Sequence, residues 1–360
     1  MHRCGMLPEQ YGSLGVTEEV GRKLLAAAVR RGEQDLRSVR GVRRAVLEAI
    51  ESATSAAPLR VLGRQTAADG FLKYLFELDG GAQVEAVRIP VPCEAPGADL
   101  SAYAGKEKKY VVCISSQAGC ALACAFCATG RLGFSRNLLA HEIVGQVLAV
   151  RAEADRPVRG VVFMGMGEPF LNYEQVIAAA HILSHPCGGS IDARAITIST
   201  AGIVPSIRRY TAEAHKFRLA VSLTHADPHK RLQLMPIERT HPTHELVAAL
   251  HDHARARRTR VLVEYVLLGG VNDSAADAEA LAHLLDPGLV KLDLIDVNGE
   301  VGGFRRSSRE ARSAFLDVLG RAGMPFAIRY SGGQDVAAGC GQLAGGAGVG
   351  ASLASRSRRA

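Results

Sequence analysis

The sequence predicts an α/β protein in which a parallel sheet wrapped by helices follows a small N-terminal α+β domain. Three observations carry this expectation. From residue 109 to about residue 330, short β-rich runs alternate with amphipathic helical patterns, the rhythm of βαβ units joined by right-handed crossovers. The runs are almost continuously apolar, as strands covered on both faces are. The first ninety residues lack that rhythm and read as two helices followed by closely spaced strands.

Residues 17–31 form the first helix, with Thr17 as N-cap and Val20, Leu24, Leu25 and Val29 on one face. Residues 37–53 form the second, with Val42, Ala45, Val46 and Ile50 inward. The pair carries Arg22, Lys23, Arg30, Arg31, Arg37, Arg40, Arg43 and Arg44, a density that suits nucleic acid or a merely solvated face. Residues 58–89 read as an antiparallel sheet of LRVLGRQ, FLKYLFEL and QVEAVRIP, with Asp79-Gly80-Gly81 as a turn. Residues 1–90 are thus an accessory domain, expected to bind RNA if the basic helices face a polyanion. Residues 91–108 are a linker or insert, 109–345 the core, and 346–360 a flexible basic tail.

Core strands are expected at 110–116, 160–166, 195–200, 218–224, 260–268 and 290–297, with a last one at 325–330. Helices are expected at 138–154, 173–184, 203–215, 242–257, 274–285 and 307–322. Six units fit a partial barrel or an open doubly wound sheet, and periodicity does not choose between them. Both place chemistry on the loops after the strands' carboxyl ends. There stand Cys120, Cys124 and Cys127, then Gly165 to Pro169, Ser199 to Gly202, Ser222-Leu223-Thr224, Asn272 and Asn298.

Composition narrows the function classes. At roughly 150 residues per domain, 360 residues suggest two domains. A hydrophobic fraction of 48% and a charged fraction of 22% exclude global disorder. No run approaches the roughly 20 apolar residues of a membrane span, and MHRCGMLPEQYGSLG has no apolar h-region. The cytoplasm is therefore the expected compartment. There, eight cysteines read as ligands or catalysts rather than structural disulfides. The formal charge of +7 tilts the expected partner toward a polyanion, although no Trp and 5% aromatics advertise no stacking platform.

Cys120-x3-Cys124-x2-Cys127 is the sharpest signal. Structural zinc takes four protein ligands, usually as two separated pairs, and ferredoxins supply four cysteines per cluster. Haem attachment needs His after the last Cys, where Ala128 stands. Three ligands on a [4Fe-4S] cluster leave one iron open to a substrate or cofactor. With Phe126 just before the last Cys, this spacing resembles the radical S-adenosylmethionine (SAM) superfamily. Longer stretches, CISSQAGCALACAFCATGRLGFSRN (113–137), FMGMGEPFLN (163–172), ISTAG (198–202) and GCGQLAG (339–345), resemble the RlmN/Cfr family of RNA adenine methyltransferases over about residues 80–345.

That resemblance implies a partial (β/α)6 radical-SAM barrel, a [4Fe-4S] cluster on Cys120, Cys124 and Cys127, and two SAM molecules per turnover. It implies that Cys340 carries the methyl group, that Cys113 resolves the enzyme–RNA adduct through a transient Cys113–Cys340 disulfide, and that Glu85 is the proton acceptor. Gly167, Glu168, Ser199, Ser222, Leu223, Thr224 and Asn298 are the implied cofactor contacts. The implied partners are ribosomal RNA, with transfer RNA as a second target, and a one-electron donor such as flavodoxin or ferredoxin, the enzyme acting as a monomer without a membrane. The Cys-Ala-Thr-Gly-x-x-Gly-Phe-x-Arg-Asn stretch resembles the branch that modifies carbon 2 of adenine, the alternative being carbon 8. Competing readings are a different radical SAM activase or modifier, and a zinc-containing RNA-binding protein without activity. Three features depart from the family: Thr224 stands where it usually has His, with His225 next; the insert is long; and the first helices lack an aromatic-rich stretch. Cys4, Cys187 and His141 read as bystanders, and Met164 and Met166 as core filler or flanks of the cofactor.

Overall fold

The computed structural model describes residues 1–93, 105–299 and 301–345. Most of the insert and the whole of 346–360 lie outside the described residues. The chain begins with α1 (Glu18–Leu25), continued by a π-helical turn over Ala26–Arg30, and α2 (Arg44–Ala53). Thr17 caps α1 by accepting from the Val20 amide. The second helix starts at Arg44 rather than residue 37. Asp35 caps a 3-10 turn at Leu36–Ser38 and Gly41 takes a φ of 72°, which breaks any continuous helix there. Tyr11, Leu24, Leu36 and Ile50 form a small core under this pair, separate from the main one.

Three strands follow, β1 (Arg60–Thr66), β2 (Leu72–Glu77) and β3 (Gln83–Val91), then β4 (Lys109–Cys113). A hairpin of β5 (Gln117–Gly119) and β6 (Phe134–Asn137) encloses the cysteine loop and α3 (Ala128–Arg131). The rest alternates: α4 (Ala140–Glu153), β7 (Val158–Phe163), α5 (Tyr173–Ser184), β8 (Ile196–Thr200), α6 (Val204–Ala212), β9 (Arg218–Ser222), α7 (Pro228–Leu234), α8 (Thr243–Arg257), β10 (Val261–Leu267), α9 (Ala275–Leu284), β11 (Val290–Asp296), α10 (Arg309–Arg321) and β12 (Phe326–Arg329).

Ten strands form one sheet in the order β1-β2-β3-β4-β7-β8-β9-β10-β11-β12. From β4 to β12 every pairing is parallel, whereas β1 to β4 are joined antiparallel. The N-terminal strands therefore extend the main sheet, and Val87 on β3 lies opposite Cys113 on β4.

The sheet curls. Five steps at about 4.8 Å would put β12 roughly 24 Å from β7 in a flat sheet, yet Arg329 on β12 brings Nη1 to 3.1 Å from Sδ of Met164, one residue beyond β7. The segment after β12 completes the curve by returning toward β1–β3. The Tyr330 hydroxyl and the Gly333 amide donate to Asp69, each at 2.9 Å, and the Lys73 ammonium donates to the Ala337 carbonyl at 3.4 Å.

One buried cation holds two strand ends in place. Arg231 on α7 is fully buried and paired with Glu238; it donates to the carbonyls of Ala201, just after β8, and Leu223, just after β9, at 2.9 and 3.2 Å. Arg231→Ala leaves Glu238 buried without its cation and is expected to cost about 3–5 kcal/mol, read from the shift in urea unfolding midpoint. Replacing both residues by Met is expected to cost much less; equal losses would contradict this account.

Candidate active site

The hairpin β5–β6 fixes the base of the cysteine loop. Gly119 has a φ of 73°, and a Cβ there would lie 1.9 Å from the Gly133 carbonyl oxygen, so only glycine allows this approach. The Cys120 amide donates to that same carbonyl at 2.9 Å. Within the loop the Cys127 amide donates to the Cys124 carbonyl at 3.1 Å, and the Ala125 amide to Leu234 at 2.9 Å. Cys120, Cys124 and Cys127 thereby line one cavity, together with Gly167, Glu168, Ser199 and Ser222 from the carboxyl ends of β7, β8 and β9.

Cys340 lines the same cavity because its segment is tied down on three sides. The Ala128 amide and the Thr129 hydroxyl donate to the carbonyls of Gly341 and Leu343, both at 2.7 Å. The Cys340 amide donates to the Ser331 hydroxyl at 3.0 Å, and the Asn298 side-chain amide donates to the Cys340 carbonyl at 3.2 Å. Further on, the amides of Ala344 and Gly345 donate to the carboxylate of Glu85 at 2.7 and 3.2 Å. Glu85 is buried on β3 and paired with Lys73 at 3.1 Å.

Cys113 ends β4 behind this wall, buried. Burial pushes its thiol well above the ordinary range, and the charge of Cys340 adds to the rise, so the two sulfurs share one electrostatic neighbourhood although 227 residues separate them. Among the described residues no disulfide is formed.

Glu168 is buried, and its carboxyl rises to about 7 because burial outweighs the amides of Ala201 and Phe170 that donate to it at 2.8 and 2.9 Å. A cation arriving in the cavity would draw it to its ionised form. Gly167, with a φ of 99°, lies so close to Gln117 that a Cβ would meet its side chain at 2.5 Å. The serine hydroxyls are engaged: Ser199 and Ser222 both donate to Glu264, at 2.5 and 3.2 Å. Leu223, Thr224 and Asn298 do not line the cavity. Leu223 and Thr224 are buried, and the Thr224 hydroxyl has no hydrogen-bond partner. His225 is buried too, its Nδ1 accepting from Asp227 at 2.9 Å.

A charged trio in the curl of the sheet was not anticipated from the sequence. Arg329 pairs with Glu264 at 3.0 Å and with Asp293, and Glu264 lies in register with Ser222 on one side and Asp293 on the other. Burial alone would lower the Arg329 guanidinium, but Glu264, Asp293 and then Cys340 outweigh it and raise it. The signal available was a charge inside each of three apolar strand patterns, Glu264 in RVLVEYVLL, Asp293 in VKLDLIDV and Arg329 in PFAIRY.

The donor set fits an iron–sulfur cluster. Three thiols from one loop face a space of about 960 Å³, its solvent-filled mouth included, large enough for a cluster with a nucleoside cofactor beside it. Burial and the mutual charge of the cysteines raise the Cys124 thiol, and burial raises Cys120 to about 11; bound iron reverses that tendency by holding thiolates.

The accessibility of the remaining two thiols differs in a measurable way. Cys340 faces the cavity half-buried, while Cys113 is buried and held protonated. Iodoacetamide at pH 8 is expected to label Cys340 on the order of tenfold faster than Cys113, quantified by peptide mass spectrometry. Equal rates would contradict the burial of Cys113.

The profile described as Radical SAM superfamily matches residues 114–285. The chain is 51% identical over 331 residues to a probable RNA methyltransferase of Anaeromyxobacter sp. (strain Fw109-5), covering 91% of this chain and 94% of that one. It is 39% identical over 353 residues to a probable dual-specificity RNA methyltransferase RlmN of Heliobacterium modesticaldum, covering 95% and 89%. A crystal structure of a radical SAM methyltransferase from Sphaerobacter thermophilus superposes with a TM-score of 0.83 at 36% identity, covering 95% of this chain and 99% of that one. On the strength of these likenesses the chain belongs to the RlmN family of radical SAM RNA methyltransferases.

Proposed function

We propose that this enzyme adds a methyl group to carbon 2 of adenine in RNA, with ribosomal RNA as the main substrate and transfer RNA as a second one. The observation that carries the reading is that the three-cysteine loop and Cys340 line one cavity. The curled parallel sheet is then the partial (β/α)6 barrel of the superfamily. Carbon 2 of adenine is too weak a nucleophile to displace a methyl group from SAM, so an ordinary transfer is closed. When bound and reduced by one electron, a [4Fe-4S] cluster with SAM on its open iron supplies a 5′-deoxyadenosyl radical.

The chain's own residues do the rest. Cys120, Cys124 and Cys127 hold the cluster, and Glu168 accepts from the cofactor's ammonium group. Gly167 lets the strand-end turn pack directly on Gln117 and so holds the turn that carries Glu168. Ser199 and Ser222, braced on Glu264, face its nucleoside half. The Cys340 thiolate displaces the methyl group of a first SAM and becomes a thioether. Once that methyl group has lost a hydrogen atom, its carbon adds to the ring, and the adduct radical would return its unpaired electron to the oxidised cluster as the ring proton leaves. Glu85 is the assigned acceptor of the ring proton; its carboxylate accepts from Ala344 and Gly345 and lies outside the cavity wall here, so that segment must release it before it can meet the base. Cys113 then gives up its proton and attacks the Cys340 sulfur, the bond from that sulfur to the new methyl carbon breaks with the electron pair staying on carbon, that carbon takes up one proton, and a Cys113–Cys340 disulfide remains for an external dithiol to reduce.

The test uses reconstituted enzyme, RNA and nucleoside mass spectrometry. Cys340→Ala is expected to abolish methylation while retaining iron and reductive cleavage of SAM. Cys113→Ala is expected to accumulate a covalent protein–RNA adduct. Methylation by Cys340→Ala at the normal rate would sink the two-cysteine route, and a methyl group at carbon 8 would sink the choice of carbon.

A further inference from the structure

The same strands that end at the catalytic cavity begin at a second concavity on the opposite end of the barrel. Its lining includes Arg194 before β8, Lys216 and Arg218 at the start of β9, Arg257 at the end of α8, Arg260 before β10 and Lys291 on β11. Against these six cations stands one lining acid, Asp192, which pairs with Arg194 at 3.6 Å. Arg257 donates to the His215 carbonyl at 3.1 Å. Among the described residues Lys216, Arg218, Arg260 and Lys291 form no salt bridge, and the first three are exposed. Uncompensated like charges repel one another and weaken the folded state, so a patch of this kind calls for a counter-charge from outside.

The N-terminal helices, which the sequence singles out as the basic surface, are different. Residues 1–58 hold nine Arg and Lys against seven Asp and Glu. Arg22, Lys23, Arg31, Arg37 and Arg44 are each paired with a neighbouring acid. Their charge is largely spent within the helices.

We propose that the base of the barrel binds the phosphate backbone of the RNA substrate at a distance from the reacting base, so that a folded RNA is gripped at both ends of the strands. The proposal rests on the reading of the enzyme as an RNA methyltransferase. Four of the six cations are Arg, whose planar fork matches phosphate oxygens, and their spread over four strand starts and a helix end exceeds what one phosphate needs. An acidic electron-donor protein fits less well, since the cysteine loop lies at the other end of the strands. The base supplies affinity without reading sequence. It also favours long folded RNA over short oligonucleotides that fill only the catalytic cavity.

The experiment compares reconstituted wild-type enzyme with a variant carrying Arg218→Gln, Arg260→Gln and Lys291→Gln. The probes are deproteinised ribosomal RNA, total transfer RNA and a short adenine-containing oligonucleotide, titrated over a range of salt. For at least one of the two folded RNAs, Kd is expected to rise about tenfold or more, and the slope of log K against log salt to fall by roughly 2–3 for three lost phosphate contacts. Oligonucleotide binding, RNA-independent SAM cleavage and the thermal midpoint are expected to stay at wild-type values. Unchanged Kd and slope for both folded RNAs would overturn the proposal while leaving the methyltransferase reading intact. Wild-type protein that bound neither RNA would sink both. A variant that kept RNA binding but lost reduction by a flavodoxin-class donor would assign the base to that protein instead.

Discussion

One carboxylate inside the sheet determines where the rest of the site can be. Glu85 on β3 is buried, neutralised by Lys73 from β2, and spends its remaining acceptor on the amides of Ala344 and Gly345. An ion pair taken out of water is favourable only when its other hydrogen bonds are made, so the C-terminal segment is part of the pair's stability and the pair is part of the segment's position. From that anchor the chain runs back under α3 to Cys340 and on to Ser331 and Asn298. A sheet whose edges β1 and β12 are not paired to each other is thus bridged by side-chain and backbone hydrogen bonds. The bridge delivers a thiol to the cysteine loop.

The two ends of the parallel strands have opposite characters for reasons set by single residues. Toward the cavity at the carboxyl ends, the mid-strand Glu264 and Asp293 face one guanidinium, Arg329, and the serines of β8 and β9 satisfy the spare oxygen of Glu264. Fixed charges of this sort, aimed into a cavity with little water, act more strongly than they would in solvent. At the amino ends the charges are almost all positive and solvated. Chemistry belongs at the first end, where groups are held rigidly, and long-range attraction at the second, where they are free to meet phosphates.

Much of this was legible in the sequence, because the relevant signals are local. The cysteine spacing is a short-range feature that no fold can change, and the strand ends from Gly167 to Ser222 followed from alternation alone. The three charges Glu264, Asp293 and Arg329 were present in apolar strand patterns, yet their meeting depends on register and curl, which periodicity does not contain. The helix that starts at Arg44 rather than residue 37 turned on the positive φ of Gly41 and on Asp35 capping a short turn. A count of arginines overstates the free charge of the first helices, because Glu18, Glu19 and Glu48 lie four residues from their partners and neutralise them. Thr224 and His225 both turned into buried structure beside the cavity rather than its wall, a distinction that burial decides and spacing does not.

The central claim, that the methyl group passes through a thiol of this chain and loses a hydrogen atom before reaching RNA, is tested most directly with SAM carrying a trideuterated methyl group. The account predicts methylated adenine bearing two of the three deuterium atoms, with the third recovered in 5′-deoxyadenosine. Intact transfer of all three deuterium atoms to the RNA would contradict it.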